Sequence, residues 1–232
     1  MTAPHIIGGA PANGHAYGWM VRLSVGCDGA LVSPRVVLTA GHCVARTGPT
    51  TSIKVTAGSP DLSSADTVTV RSTYVMRASG FTDATDGNDW ALIQLTTPMS
   101  LPLLPLTPSA AYDKGEFRVL GWGSTRQSGP QQSMLRSALV PFVSDSVCAR
   151  AYHGNSFVKS QMICAGNLKH GGVDACQGDS GGPLIQRDSA GAYVEVGIVS
   201  WGYGCALAGY PGVYTQVSAF QPAINAGIAR LK

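Results

Sequence analysis

The chain has 232 residues, of which 44% are hydrophobic and 12% are charged, and its formal net charge at neutral pH is +3. This composition is too apolar for a disordered chain, and the length is sufficient for a sizeable core. No dense Lys/Arg cluster occurs, so binding to nucleic acid is not indicated. No apolar run reaches about eighteen residues, so we expect no membrane-spanning segment.

Short apolar segments between Gly, Pro, Ser and Asp turns predict a chain made mostly of β-strands. In chain order, the predicted strands cover residues 20–25, 36–38, 52–57, 67–75, 91–95, 117–121, 134–142, 182–186, 194–201 and 212–216. Many short strands at this spacing indicate an all-β barrel or sandwich. A proline-rich stretch over 97–108 is predicted to link two halves, and apolar residues spaced four apart predict a C-terminal helix over 217–231.

The most informative segment is Gly-Asp-Ser-Gly-Gly-Pro at residues 178–183, which places Ser180 on a glycine-rich turn. A serine hydroxyl is a weak nucleophile and needs a base that removes its proton. His42 follows the apolar run 36–38, and Asp89 stands at the entrance to the strand over 91–95. Taken singly, a histidine is often solvated and an aspartate often caps a turn. Together, a base, a carboxylate that fixes its tautomer and a serine indicate nucleophilic catalysis.

With these motifs the chain resembles the chymotrypsin-like serine proteases, and within them the trypsins secreted by actinobacteria. The likeness runs from Ile-Ile-Gly-Gly at residues 6–9 to the C-terminus, and includes Asp-Trp-Ala-Leu at 89–92 and Ser-Trp-Gly-Tyr-Gly-Cys at 200–205. It implies two antiparallel six-stranded β-barrels and a C-terminal helix. The implied division is a propeptide remnant or extension at 1–5, a first barrel with linker at 6–108 and a second barrel at 109–232, all in one peptidase domain.

The resemblance also implies the roles of individual residues. Ser180 would be the nucleophile, His42 the base and Asp89 its partner, while the backbone N–H groups of Gly178 and Ser180 would form the oxyanion hole. Asp174 would select Arg or Lys at the base of a substrate pocket. The remaining substrate-binding residues would be Ala175, Gln177, Ser200, Trp201, Gly202 and Gly212. Since Ala175 stands where many trypsins have serine, we expect Arg to be favoured over Lys.

The six cysteines suit an oxidised, secreted protein, although the sequence alone permits fifteen pairings. Free thiols are the alternative, and a zinc site is not indicated because no Cys-x-x-Cys pair occurs. The resemblance implies the pairs Cys27–Cys43, Cys148–Cys164 and Cys176–Cys205.

The resemblance further implies activation by cleavage before Ile6, whose new α-amino group would pair with Asp179. Because five residues precede Ile6, the sequence predicts a zymogen-like chain. His5 precedes the cleavage point, so we expect another protease to make the cut. No signal peptide is recognised, and the cysteines nevertheless favour an extracellular location.

The sequence leaves two other interpretations to consider. A non-catalytic binding protein of the same fold would usually lack a triad residue or a pocket residue, and a chymotrypsin-type enzyme would lack Asp174. We predict no cofactor and no metal, because Asp61 and Asp66 in the loop over 58–66 do not make a reliable calcium ligand set. Expected partners are protein and peptide substrates with Arg or Lys and protein protease inhibitors, without nucleic acid or membrane, and the expected state is a monomer.

Overall fold

The computed structural model describes residues 9–12, 14–124, 129–153, 156–172, 174–176 and 178–232. Over these residues the regular secondary structure is mostly strand, as the short apolar segments predict. The strands are β1 Ala10–Pro11, β2 Met20–Leu23, β3 Asp28–Ser33, β4 Val36–Thr39, β5 Gly48–Pro49, β6 Lys54–Ala57, β7 Val68–Arg77, β8 Ala91–Leu95, β9 Glu116–Gly121, β10 Arg136–Val143, β11 Met162–Ala165, β12 Pro183–Arg187, β13 Tyr193–Trp201 and β14 Gly212–Gln216. The α-helices are α1 Asp145–Ala151 and α2 Val217–Leu231.

The strands form two closed antiparallel barrels. In the first, the order is β7-β6-β2-β3-β4-β8, and pairing of β7 with β8 closes the ring, with β5 added beside β7. In the second, the order is β10-β11-β14-β13-β12-β9, and pairing of β10 with β9 closes it, with β1 added beside β10. The predicted fold of two six-stranded barrels with a C-terminal helix is therefore confirmed.

Strand β4 shows why the first barrel positions a site at its rim. All four of its residues are buried, as the continuous apolar run predicts for a strand covered on both faces. It pairs with β3 on one side and β8 on the other, so its end lies beside the start of β8. His42 follows β4 and Asp89 precedes β8, so this register brings the two close together.

Helix α2 covers the first barrel although it follows the last strand of the second. Its buried residues Ile224, Ile228 and Leu231 belong to the same core cluster as Leu92. The side chain of Gln94 also donates to the carbonyl of Leu231 at 2.9 Å. The C-terminal helix thus ties the two barrels together.

Helix α1, strands β3 and β11 and the two-residue strands β1 and β5 were not predicted from the sequence. Strand β3 begins with Asp28 and Gly29, residue types that usually mark a turn, yet Asp28 is fully buried in the structure. Helix α1 has seven residues, which is too short for a clear helical period.

Three disulfide bonds join Cys27 to Cys43, Cys148 to Cys164 and Cys176 to Cys205. These are the pairs that the resemblance implies. The first links β3 to the turn that carries His42, and the third links the segment before Ser180 to the loop after β13.

Candidate active site

His42 and Asp89 form a close pair at the rim of the first barrel. Asp89 is 1% exposed, and its two oxygens accept hydrogen bonds of 2.8 Å from the backbone N–H and the Nδ1 of His42. When Nδ1 of the neutral imidazole donates to this carboxylate, Nε2 keeps a lone pair. The His42 side chain is 28% exposed, so Nε2 can act as a base towards a bound molecule.

The second barrel holds the same carboxylate from the other side. The hydroxyl of Ser200 donates to Asp89 Oδ2 at 2.5 Å, and the hydroxyl of Thr215 donates to the Asp89 carbonyl at 2.7 Å. Ser200 lies on β13 and Thr215 on β14, so Asp89 is anchored to both barrels. Sequence analysis placed Ser200 among the substrate-binding residues and did not identify Thr215.

Ser180 lies on a turn of the second barrel that is bonded to the first. Its carbonyl accepts a 2.8 Å hydrogen bond from the N–H of Asp28. Asp28 follows Cys27, whose disulfide partner is Cys43, the residue after His42. Gly181, which follows Ser180, has φ +79°, and a Cβ there would lie 3.0 Å from the backbone N of Ala40. Among the described residues no hydrogen bond joins Ser180 Oγ to His42, and such bonds are often long in free enzymes.

The turn around Ser180 offers two unused donors. Among the described residues, the backbone N–H groups of Gly178 and Ser180 make no hydrogen bond. Between them, the buried carboxylate of Asp179 accepts the N–H groups of Gly123 at 2.8 Å and Cys176 at 2.9 Å. Burial and the neighbouring Asp28 carboxylate raise the pKa of Asp179 to about 8.

A cavity of about 160 Å³ opens beside Ser180, with Asp174 in its wall. The Asp174 carboxylate is 6% exposed and accepts hydrogen bonds from the N–H of Ala175 at 2.7 Å and the hydroxyl of Tyr214 at 2.8 Å. Burial raises the pKa of Asp174 to about 7, and these donors oppose that rise. A carboxylate held this way favours a cationic guest that restores its charged form.

Glycines keep the cavity open. A Cβ on Gly212 would lie 2.6 Å and 2.8 Å from the two oxygens of Asp174, so a larger residue would displace the carboxylate. Gly202 also lines the cavity, and a Cβ there would make ordinary contacts with the Tyr152 hydroxyl at 3.8 Å and Gly212 Cα at 3.9 Å. Among the described residues, six predicted pocket positions line this cavity: Asp174, Ala175, Ser200, Trp201, Gly202 and Gly212. Gln177 and Ile6 lie outside the described residues.

The acidic loop after β6 gives no metal site among the described residues. Asp61 accepts the N–H and hydroxyl of Ser63, and Asp66 accepts the hydroxyl of Ser64, so each carboxylate is used by its own turn. The described residues contain one cluster of metal-type ligands, formed by Cys27, His42 and Cys43. Both of its cysteines are in a disulfide and cannot ligate a metal as thiolates.

Besides Thr215, three contributors to this region were not identified from the sequence, namely Tyr214, Arg22 and Asp28. Tyr214 lies on a predicted strand, two residues after the pocket residue Gly212, and this alternation places both on the same face. Asp28 and Arg22 form a 2.8 Å ion pair beneath the Ser180 turn. No spacing of residues in the sequence predicts that Arg22 and Asp28 pair, although a charged residue directly before the apolar segment 29–32 is unusual.

Comparison with known proteins adds independent information. The family model described as Trypsin matches residues 6–224. The chain is 48% identical to a trypsin-like protease of Streptomyces glaucescens over 93% of this chain and 79% of that protein. It is 36% identical to a trypsin of Saccharopolyspora erythraea over 96% of this chain and 99% of that protein. It is also 36% identical to a trypsin of Squalus acanthias over 97% of this chain and 96% of that protein.

Proteins of this family act on protein substrates, and their serine peptidase chemistry needs no cofactor. Among the described residues, no helix has the length and apolar character needed to cross a bilayer. The match extends over nearly the whole chain, and the resemblance that the motifs indicate is confirmed. The chain belongs to the trypsin family of serine endopeptidases.

Proposed function

We propose that the protein is a secreted endopeptidase that hydrolyses peptide bonds after Arg or Lys, with Arg favoured. The observation that carries this proposal is the buried carboxylate of Asp174 in the wall of a cavity that also contains Ser180. A guanidinium can form two parallel hydrogen bonds with such a carboxylate, which an ammonium cannot do. The backbone of the peptide substrate would then lie across the opening of the cavity, beside Ser180.

The reaction would proceed through an acyl-enzyme. Ser180 Oγ attacks the carbonyl carbon, and its proton passes to Nε2 of His42. The N–H groups of Gly178 and Ser180 bind the resulting oxyanion. His42 then gives its proton to the leaving nitrogen as the C–N bond breaks. A water molecule attacks the ester, with His42 again as base, and releases the acid and free Ser180.

Activity would depend on Ile6 becoming the amino terminus. Asp179 is fully buried, and among the described residues its carboxylate accepts hydrogen bonds from two backbone N–H groups, so an α-ammonium would supply a full counter-charge. This counter-charge would be added beside the turn that carries both proposed oxyanion donors. Secretion is supported by the three disulfide bonds. Protein protease inhibitors as partners and a monomeric state remain part of this proposal.

The test uses matched peptide amides ending in Arg, Lys or Phe. Hydrolysis is measured on the full chain and again after controlled cleavage before Ile6, with the terminus verified by mass. We expect Arg above Lys, no measurable Phe cleavage, and higher activity after the cut. Asp174→Asn should lose Arg cleavage while Ser180→Ala loses all turnover but keeps binding. Preferential Phe cleavage would contradict the specificity, and full activity with residues 1–5 intact would contradict the activation step.

A further inference from the structure

The ion pair of Arg22 and Asp28 lies beneath the turn that carries Ser180. The Arg22 side chain is 11% exposed and Asp28 is fully buried, with 2.8 Å between Nη1 and Oδ1. The other oxygen of Asp28 accepts the N–H of Trp122 at 2.9 Å. A buried pair is retained at a cost in desolvation, so its position invites a functional explanation.

The pair contacts the carbonyls of two particular residues. Arg22 Nη1 donates to the carbonyl of Gly178 at 2.6 Å. The N–H of Asp28 donates to the carbonyl of Ser180 at 2.8 Å. Gly178 and Ser180 are the residues whose N–H groups are unbonded among the described residues and would hold the oxyanion. The Arg22 guanidinium therefore fixes the carbonyl of one candidate donor residue, and the backbone of Asp28, whose side chain orients that guanidinium, fixes the carbonyl of the other.

The turn over residues 178–180 is tightly enclosed, and the Arg22 guanidinium is itself held in place. Gly178 has φ +98°, and a Cβ there would lie 3.0 Å from Gly123, so the backbone is tightly enclosed on that side. The Nη2 of Arg22 donates to the side chain of Gln131, which fixes the guanidinium plane. Asp179 approaches from within the second barrel and Asp28 from the first, and a Cβ on Gly121 would overlap both carboxylates.

We propose that Arg22 and Asp28 are positioning residues that hold the Gly178–Ser180 turn in the geometry that binds the oxyanion. This inference rests on the proposed function, because it needs Ser180 to be the nucleophile. An oxyanion hole works when its donors are fixed before the charge develops. A turn released from the pair would still form the Asp174 pocket but would hold the transition state less well.

The test separates oxyanion binding from pocket binding with two inhibitors. A peptide ending in arginine aldehyde forms a hemiacetal with Ser180 whose oxygen occupies the oxyanion position. Benzamidine, an aromatic amidinium, needs only the pocket. In the double variant Arg22→Met with Asp28→Asn, no buried charge is left without a partner. We expect kcat to fall about tenfold, less than the hundred- to thousandfold typical for outright loss of one donor because both N–H groups remain, with KM nearly unchanged.

The aldehyde should lose affinity by a factor similar to the loss in kcat, while benzamidine affinity changes by less than about twofold. Arg22→Lys keeps the charge beside Asp28 and should give a smaller loss with the same selectivity. Arg35→Met is the matched control, because Arg35 also donates to backbone carbonyls, those of Leu95 and Thr96, on the first barrel away from the turn. It should leave both affinities and kcat unchanged.

Equal loss of both inhibitors would mean that the pair supports the whole pocket, and this would overturn the proposal. Unchanged kcat in the folded double variant would also overturn it. If the double variant does not fold, the Arg22→Lys variant decides: wild-type kcat and wild-type aldehyde affinity in that variant would overturn the proposal. All variants are compared with wild-type protein after cleavage before Ile6. Cleaved wild-type protein that binds neither inhibitor would instead refute the proposed function, and the inference with it.

Discussion

Ala175 is the residue at which the pocket chemistry is most easily tested. Its N–H binds Asp174 Oδ1 at 2.7 Å, and its methyl group lines the cavity without offering an acceptor. In Ala175→Ser a hydroxyl could accept from a lysine ammonium, and such a hydrogen bond to a charged group is worth about 1.5–3 kcal/mol. We therefore expect the Arg/Lys ratio of kcat/KM to fall about tenfold or more.

The ratio is measured on peptides that differ only in Arg or Lys. Ala175→Gly serves as the control, because it changes the methyl group without adding an acceptor and should not shift preference towards Lys. An unchanged ratio in the serine variant would show that Asp174 alone sets the preference.

Glu195 is a buried acid outside the active site. It is fully buried on β13, and neither carboxylate oxygen has a hydrogen-bond partner among the described residues. Burial raises its pKa well above the usual value, so the folded protein keeps a proton that the unfolded chain releases above about pH 4.3. Stability contributed by the protonated form is therefore lost as pH rises from that value towards the folded pKa.

Glu195→Gln keeps the shape of the side chain and cannot ionise. We expect the variant to be more stable than wild type at pH 8 and nearly equal to it at pH 4.5. Its free energy of unfolding should exceed that of wild type by up to about 1.4 kcal/mol for each pH unit above 4.5. Urea unfolding at both values measures this, and the exposed Glu116→Gln is the control. Parallel stability curves for the Glu195 variant and wild type would refute the explanation.

At the scale of elements, β3 is held unusually close to β4. Gly29 lies on β3, and a Cβ there would be 2.7 Å from the carbonyl of Leu38 and 2.8 Å from a methyl of Val37. Overpacking of a close-packed core usually costs about 1–3 kcal/mol. Since β4 leads directly to His42, Gly29→Ala should both destabilise the barrel and lower kcat.

Gly29→Val should be worse than Gly29→Ala if crowding is the cause. The two variants are compared with wild type by urea unfolding and by kcat on an Arg-amide substrate. An alanine variant as stable as wild type would show that β3 moves away without cost.

The elements predicted best are those whose pattern of apolar residues lies entirely within the element itself. Strands β8 and β14 and helix α2 have the bounds that their apolar spacing predicts. Strand β3 was missed because the burial of Asp28 depends on Arg22 and Trp122, which approach from other segments. Among site residues, His42, Asp89 and Asp174 carry recognisable local motifs, whereas the Arg22–Asp28 pair exists only through the fold.

At the scale of the whole molecule, the site depends on the junction of two barrels. The first barrel supplies His42 and Asp89, and the second supplies Ser180 and the two hydroxyl donors that anchor Asp89. Each barrel therefore fixes a group that the other one needs. Relative movement of the barrels would disturb the histidine, the carboxylate and the serine together, which explains why helix α2 and the Ser180–Asp28 hydrogen bond both cross the junction.

Three carboxylates around the candidate site are buried, and burial raises their pKa values to about 6 for Asp28, about 7 for Asp174 and about 8 for Asp179. Asp174 is the one that a substrate cation would contact. Because only its ionised form attracts an amidinium, benzamidine affinity should weaken as pH falls below about 7 and reach a plateau above it. Binding would release a proton in that window.

The measurement is the benzamidine dissociation constant between pH 5.5 and 8.5, made on a His42→Ala background so that the imidazole does not contribute. Asp174→Asn on the same background keeps Asp28 and Asp179 and should bind weakly at every pH. If that variant retained the pH dependence, another carboxylate would control the pocket. A flat profile with tight binding at pH 5.5 would mean that Tyr214 and the N–H of Ala175 stabilise the charged Asp174 more than its burial opposes it.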